Sequence, residues 1–177
     1  ALTFCGNMTY YLPIGASSNS YISLDYFKTQ FDQQMVVDYE LGHNQISFYA
    51  LDGDRSFTYT CQRDFSIDPI ERFNITATFR YTNAMIELDG KGLVEKPMTS
   101  RFKGVLNVQY ATNLNKWIFD FTASLNGSCR VYNFMKDLKD AEGNLLYKNG
   151  RTPVYPMLYA QVTRRFKGWD VYVGAEN

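Results

Sequence analysis

The sequence predicts an all-β fold, an antiparallel up-and-down meander of about eight strands. Apolar and polar residues alternate with a period of two along most of the chain, and no segment shows a convincing helical period. The connections between the alternating segments are short and long in turn. Aromatic residues make up 16% of the 177 residues, and large aromatic side chains favour strands.

The segment RFNITATFRY, residues 72–81, shows the alternation most clearly. Every second residue from Phe73 to Tyr81 is apolar or aromatic, whereas the residues between them are threonine, asparagine and arginine. Successive side chains of a strand point to opposite faces of the sheet. The pattern therefore predicts a strand with one apolar and one polar face, which continues to about Leu88.

Three strands are predicted before this segment. The first is TFCGNMTYYL (residues 3–12), and the second is YISLDYFKTQFDQQMVVDY (residues 21–39). The second is long for a globular protein, in which strands of about 5–6 residues are usual. Residues 40–55 are expected to form a long loop that contains a short strand. SFTYTCQRDFSI (residues 56–67) is the third, and Arg63 is the exception on its apolar face.

Four strands are predicted after this segment, and each repeats the alternation. They are RFKGVLNVQYAT (residues 101–112), WIFDFTASLNGS (117–128), LYAQVTRRF (158–166) and WDVYVGAEN (169–177).

The connections fall into two classes by length. Four are short turns, at residues 15–20, 68–71, 113–116 and 167–168, and three are longer loops, at residues 40–55, 89–100 and 135–156. In a meander, short turns then lie at one end of the sheet and long loops at the other. Outer-membrane barrels have this asymmetry, and Greek-key sandwiches rarely do.

The two faces of the predicted sheet differ in chemistry. The apolar face has little charge, and aromatic residues such as Phe65, Phe102, Trp117 and Trp169 lie towards its strand ends. This pattern favours a segment of a larger transmembrane β-barrel, with lipid outside and water inside. The alternative is a soluble eight-stranded β-barrel that carries a small lipophilic ligand. The expected wet face holds Asp25, Gln62, Asp64, Arg80, Asn107, Gln109, Asp120 and Gln161.

Composition argues against several other classes of protein. The formal net charge is zero, so no broad electrostatic footprint for nucleic acid is expected. No apolar run is as long as the about 18 residues that a transmembrane helix requires. Cys5, Cys61 and Cys129 form no Cys-x-x-Cys pair, and we expect unpaired thiols and no metal site. No catalytic set of residues is visible, so we expect neither an enzyme nor a cofactor.

The order of several segments resembles the C-terminal barrel portion of a TonB-dependent outer-membrane receptor. The segments are ISLDYFKTQFDQQMVVDYE, FYALDG, FNITATFRYTNA, GLVEKPMTSRFKGVLNVQY, NKWIFDFT and RTPVYPMLYAQVTRRFKGWDVYVGAEN. The resemblance covers nearly the whole chain, and order and spacing carry it more than any invariant residue does. The usual Leu-Thr-containing continuation after GWDVYVGAEN is absent.

The resemblance implies a receptor in the outer membrane of a Gram-negative bacterium, with a barrel of about 22 strands closed by a plug domain. Such receptors take up iron chelates, cobalamin, metals or glycans, and the TonB complex supplies the energy. The expected partners are therefore membrane lipid, the receptor's own plug domain, the TonB complex and a nutrient ligand. We expect the chain to be a fragment in which the plug domain and the last strands are absent.

Two groups of residues are candidates for function. Loops commonly carry binding residues, and the outer loops hold the candidates for ligand capture. These are His43, Tyr49, Lys96 and Tyr147. Charged residues on the wet face are candidates for contact with the plug domain, and these are Arg80, Asp120 and Arg165. An outer-membrane barrel enzyme is a further rival, for which His43 would need a nucleophile and a carboxylate nearby.

Overall fold

The computed structural model describes residues 1–15, 20–40, 42 and 44–177, without the side chains of residues 52–55. The described chain forms one antiparallel sheet of nine strands, and the predicted up-and-down meander is confirmed. The strands are β1 (Leu2–Tyr11), β2 (Tyr21–Asp38), β3 (Ser47–Ile70), β4 (Phe73–Leu88), β5 (Gly92–Glu95), β6 (Phe102–Ala111), β7 (Trp117–Asn126), β8 (Tyr155–Phe166) and β9 (Trp169–Glu176).

The strands pair in chain order, except that β5 folds back on β4 beside the main path. The sheet is open, and β1 and β9 form its two edges. The helical structure among the described residues consists of three short 3-10 turns, at Asn113–Asn115, Asn133–Met135 and Lys148–Gly150. No helix in this part of the chain is long and apolar enough to cross a membrane.

The structure corrects the expected loop at residues 40–55. Strand β3 begins at Ser47 and pairs with Asp38, so the connection from β2 is only residues 39–46. A register irregularity between Phe31 and Gln33 interrupts the ladder, after which pairing resumes. The sequence pattern fails there because the irregularity breaks the alternation, whereas backbone hydrogen bonding continues the hairpin.

Three further features also differ from the sequence prediction. The expected turn at residues 68–71 is a two-residue turn at Glu71 and Arg72, and Arg72 has a φ of 65°. Residues 92–95 form β5 within the expected loop of residues 89–100, which brings the number of strands to nine. The last long loop lies between β7 and β8, at residues 127–154 instead of 135–156.

The strand register places the predicted apolar residues on one face of the sheet. Directly paired residues in an antiparallel sheet lie on the same face, so a row can be followed from strand to strand. One such row joins Tyr10, Ile22, Phe65, Ala77 and Leu106. We call this surface the apolar face. The opposite surface, the polar face, includes the predicted residues Asp25, Gln62, Asp64, Arg80, Asn107, Gln109, Asp120 and Gln161.

The apolar face has no second layer of described residues packed on it. Phe79 is 53% exposed, and Leu106 and Phe121 are also exposed. The chain has 11,937 Å² of accessible surface, whereas a compact protein of 20.5 kDa has roughly 8,800 Å². The apolar side chains therefore do not form a closed hydrophobic core in this chain.

The buried apolar residues lie at the end of the sheet that carries the long loops. Among the described residues, Val36, Ala84, Leu88 and Val131 are buried. Val131 belongs to the loop of residues 127–154, and its amide donates to the carbonyl of Gly150. The loop of residues 127–154 therefore contributes a buried residue of its own at this end of the sheet.

Candidate ligand-binding end of the sheet

Aromatic residues form two rows across the apolar face. Phe73 of β4 is paired with Tyr110 of β6, and eight residues further along β4, Tyr81 is paired with Phe102. The Phe73 and Tyr110 rings contact each other edge to face, with centroids 6.4 Å apart. Eight residues of strand span about 26 Å. A strand tilt of about 35–45° reduces this distance to about 18–21 Å along a barrel axis, somewhat less than the apolar band of about 25 Å between the aromatic girdles of an outer-membrane barrel.

The aromatic row at the short-turn end includes both tryptophans. The Phe166 and Trp169 rings stack with centroids 4.2 Å apart across the last turn. The guanidinium of Arg164 lies over the Trp117 ring, 4.6 Å from its centroid. Arg164 is paired directly with Trp117 and so lies on the apolar face, at the border of the apolar band. Mixed aromatic and cationic borders of this kind are typical of membrane interfaces.

The polar face carries a network of hydrogen bonds between side chains. The amide of Asn7 donates to Asp25 at 2.6 Å, and the hydroxyl of Thr78 donates to Asp64 at 2.6 Å. The amide of Asn107 donates to both carboxylate oxygens of Asp120, at 3.1 and 3.2 Å. These carboxylates therefore have neutral partners within the chain, and this face is suited to contact with water.

At the long-loop end, Glu95 of β5 holds two arginines. The Arg151 guanidinium donates to both carboxylate oxygens of Glu95, at 2.9 and 3.0 Å. Arg101 donates to the same two oxygens, at 3.0 and 3.2 Å. The hydrogen bonds from Arg151 hold the pKa of the Glu95 carboxyl below its usual value of 4.5, although partial burial acts in the opposite direction. Arg151 belongs to the loop of residues 127–154, so this pair fastens that loop to β5.

A second ionic contact fastens the same loop to the end of β2. Arg130 forms an ion pair with Glu40 at 2.6 Å, and the Glu40 side chain is only 2% exposed. The amide of Asn133 donates to the other carboxylate oxygen of Glu40 at 2.8 Å. Arg130 also donates to the backbone carbonyl of Glu95 at 3.0 Å. We call this docked loop, residues 127–154 with its contacts to Glu40 and Glu95, the loop cap.

Tyr49 lies beside the loop cap as part of the framework. Its hydroxyl donates to Asp38 at 3.4 Å and accepts from the amide of Asp89 at 3.2 Å. Burial raises the pKa of the Tyr49 hydroxyl above its usual value, and the charge of Asp38 acts in the same direction. Tyr49 therefore braces the β2–β3 hairpin against the turn after β4.

The other loop candidates are placed apart from one another. Lys96 is exposed and lines a cavity of about 290 Å³, together with Asp38, Glu40 and Tyr132. Tyr147 lies at the start of the last 3-10 turn, where its carbonyl accepts from the amide of Gly150. His43 lies outside the described residues. The ligand-binding role expected for these residues stays a prediction.

The three wet-face candidates lie on the polar face, and two of them already have partners. Asp120 accepts from Asn107, and Arg165 forms an ion pair with Asp170 at 3.4 Å. Arg80 instead borders a cavity of about 600 Å³ beneath the loop cap, which Lys103 and Cys129 also line. Contact of these residues with a plug domain stays a prediction.

Sequence reasoning missed several residues that build this end of the sheet. Glu95 and Arg151 are 56 positions apart, and Glu40 and Asn133 are 93 positions apart. No periodic signal links such distant positions. The pairing of Lys103 with Arg80 also depends on a register set across the connection from β4 to β6. The signal in the sequence that could have pointed to these residues is the concentration of charged residues in the predicted loops.

Comparison of the sequence with protein-family models and with curated proteins finds no match. The described residues contain no group of three or more side chains placed to hold a metal ion. The two faces of the sheet and the loop cap are therefore the features of the chain that bear on its function.

Proposed function

We propose that the chain forms part of the barrel wall and outer loops of a TonB-dependent receptor that imports a nutrient across an outer membrane. The observation that carries this proposal is the uncovered apolar face, which lies between two aromatic rows and opposite a hydrogen-bonded polar face. In an outer-membrane barrel the apolar side chains face lipid and the polar side chains face the lumen. This arrangement would stabilise the exposed apolar side chains without a second layer of protein.

The open edges of the sheet favour the interpretation that the chain is a segment of a barrel wall. They argue against a complete small barrel. Among the described residues, strands β1 and β9 pair only with their neighbours β2 and β8, and the sheet does not close on itself. An exposed edge presents unpaired backbone donors and acceptors, which the next strands of a larger barrel would satisfy. A soluble carrier would have to close this sheet with its apolar face turned inward.

The loop cap supports a role at the outer surface. Outer-membrane barrels have short periplasmic turns and longer extracellular loops, which would place the loop cap outside the cell. The resemblance to TonB-dependent receptors supplies the remaining parts of the proposal. A plug domain would contact the polar face, the TonB complex would act through the plug-bearing part of the receptor, and the chain itself would have no enzymatic role.

The native cysteines allow a direct test of the two faces. Cys61 is paired with Tyr26 and Tyr81 on the apolar face, whereas Cys5 is paired with Phe27 on the opposite face. In the intact protein that carries this sequence, each thiol would be kept in turn as the only cysteine, labelled with an environment-sensitive dye and reconstituted in lipid bilayers. We expect a quencher attached to lipid chains to quench the dye at Cys61, and a water-soluble quencher to quench the dye at Cys5.

The opposite outcome would replace the receptor with the soluble carrier. If neither dye responded to the lipid quencher, or if the protein did not enter bilayers, the apolar face would be packed against protein. The two single-cysteine proteins control for each other, since they differ only in the face that carries the dye.

A further inference from the structure

Two cations lie directly opposite each other on the polar face. Arg80 of β4 is paired with Lys103 of β6, and both residues are exposed. Like charges in directly opposite positions destabilise an antiparallel pair. Their neighbours in the same row, Gln62 and Asn126, are uncharged. The carboxylate of this row, Asp25, lies one strand beyond Gln62 and accepts a hydrogen bond from a side chain of β1. The two positive charges therefore have no carboxylate directly beside them.

The nearest acidic groups are already engaged elsewhere. Asp64, one row further along β3, accepts hydrogen bonds from Gln62 and Thr78. Glu95 is held by Arg101 and Arg151. Within the described part of the chain, neither Arg80 nor Lys103 has an ion pair or a side-chain hydrogen bond, so both remain available to an anion.

The cavity beside the two cations has the size and lining of a binding site. Its volume of about 600 Å³ falls within the range of about 300–1,000 Å³ that is typical of small-molecule sites. Neutral donors surround it, and the loop cap borders it through Gly127, Cys129 and Thr152. Its hydroxyl and amide groups belong to Thr60, Thr82, Thr99, Ser100, Asn126, Thr152 and Tyr155.

We propose that Arg80 and Lys103 form a binding site for a small anionic solute that carries carboxylate or phosphate groups. The guanidinium of Arg80 offers a planar fork for such an oxyanion, and the ammonium of Lys103 adds a second charge. A bound anion also relieves the repulsion between the two cations. This inference rests on the proposed function for its biological meaning. In a nutrient receptor, the site would make anionic nutrients the class of ligand that is imported.

Cys129 is a native reporter for the site, since its side chain lies between exposed and buried and lines the same cavity. In the intact detergent-solubilised protein, Cys129 would be kept as the only cysteine. Its rate of reaction would be measured with two methanethiosulfonate reagents, one bearing a sulfonate and the other a trimethylammonium group. Low ionic strength would be used, at which charges act over about 10–30 Å.

We expect the anionic reagent to react faster than the cationic one, by about tenfold after correction for their rates with a free thiol. Two unit charges near the thiol produce an effect of this order in a partly hydrated site. The double variant Arg80→Gln/Lys103→Gln should remove most of this preference. The charge-matched control Lys116→Gln/Lys167→Gln, which changes two exposed lysines at the short-turn end, should retain it.

Anion binding would be measured separately as protection of Cys129. Inorganic phosphate and citrate should slow its labelling in the parent protein at constant ionic strength, and should not do so in Arg80→Gln/Lys103→Gln. The single variant Lys103→Gln would repeat the comparison if the double variant did not fold. Equal rates for the two reagents, equal loss in the control, or no protection by either anion would overturn the proposal.

The outcome is separable from that of the bilayer experiment. If the dye at Cys61 were quenched by lipid and Cys129 showed no charge preference, the receptor would stand and the anion site would fail. If Cys129 showed the preference and protection without lipid quenching at Cys61, the site would stand on a protein of another class. The plug domain of the protein could instead protect Cys129, with no further effect of phosphate or citrate. That result would show that the two cations contact the plug domain, and it would overturn the proposal.

Discussion

At the scale of single residues, the carboxylate of Glu95 is the central contact at the long-loop end of the sheet. Its side chain is 12% exposed and holds two arginines from different segments. A carboxylate with bidentate arginine partners forms short, strong hydrogen bonds. If the carboxylate is lost, two guanidinium groups near the small buried core are left without their acceptor. Together with Glu40, Glu95 therefore holds the loop cap against the sheet.

We predict that Glu95→Gln will loosen the loop cap without unfolding the sheet. Each hydrogen bond to a charged group contributes roughly 1.5–3 kcal/mol, so the loop amides should lose about tenfold to a hundredfold of their protection. Hydrogen exchange at the amides of Cys129 and Val131 would measure this loss. Glu142→Gln is the matched control, since Glu142 is an exposed residue of the same loop. An equal loss in both variants would contradict the role assigned to Glu95.

The same contact gives the loop cap a pH dependence with a defined sign. Because the pKa of Glu95 is lower in the folded protein than its usual value of 4.5, its contribution is fully present above 4.5. It is lost as the pH falls through the folded pKa. Protection of Val131, corrected for intrinsic exchange, should therefore be constant near neutral pH and fall below about 4.5. In Glu95→Gln this fall should be smaller, because the carboxylate that produces it is gone, whereas the contact of Arg130 with Glu40 is still present.

At the scale of elements, two adjacent apolar residues of strand β6 lie on opposite faces of the sheet. Leu106 is paired with Ala77 and Ala123 on the apolar face. Val105 is paired with Thr78 and Ser124 on the polar face. The two positions have nearly the same depth along the strand, so they differ chiefly in the face that they occupy. This makes them a matched pair for testing what each face contacts.

We predict that Leu106→Arg will destabilise the protein in bilayers far more than Val105→Arg. An arginine on the lipid face of a barrel costs about 2–4 kcal/mol near the bilayer midplane, whereas a lumen position can hydrate the charge. Guanidinium unfolding in lipid vesicles would compare the two free energies of unfolding. If Leu106→Arg were as mild as Val105→Arg, the apolar face would be in contact with water or polar protein groups.

At the scale of the whole molecule, the open sheet has two edges and one uncovered face. Each edge strand has a row of backbone groups that no described residue of the chain pairs. Strands β1 and β9 are also exposed along their full length. Such edges favour pairing with further strands, either of the same barrel or of another copy.

We predict that the 177-residue chain, expressed alone in detergent, will self-associate through these edges. Its detergent-corrected mass in sedimentation equilibrium should exceed that of one chain of 20.5 kDa and rise with concentration. Under the proposed function, further strands of the barrel would cover β1 and β9, so an intact receptor that carries this sequence should show no such concentration dependence. A monomeric isolated chain at every concentration would show that its edges are closed in another way.

Much of the fold could be predicted from local periodicity, and most of the loop-bearing end could not. The alternation in residues 72–81 correctly gave β4 and its two faces, because side-chain direction in a strand depends only on neighbouring residues. It failed at residues 47–55, where the hairpin continues beyond a register irregularity. It also missed β5, a strand of four residues that is held by pairing with β4.

For the candidate residues too, the sequence predicted the face of the sheet and did not predict the contacts. The sequence placed Arg80, Asp120 and Arg165 on one face because their spacing within each strand fixes that face. It could not show that Asp120 and Arg165 have partners within the chain, or that Tyr49 braces the framework. Those facts depend on which strands are neighbours and in what register.

The sequence by itself determined the all-β meander, the two chemically distinct faces and the short turns between β3 and β4, β6 and β7, and β8 and β9. Each of these follows from the period-two pattern and from local turn chemistry, which act over a few residues. Only the tertiary structure decided that Lys103 lies opposite Arg80 and that Glu95 fastens the loop cap through Arg151. These contacts join distant segments whose approach depends on strand register and loop docking, and no local pattern encodes either.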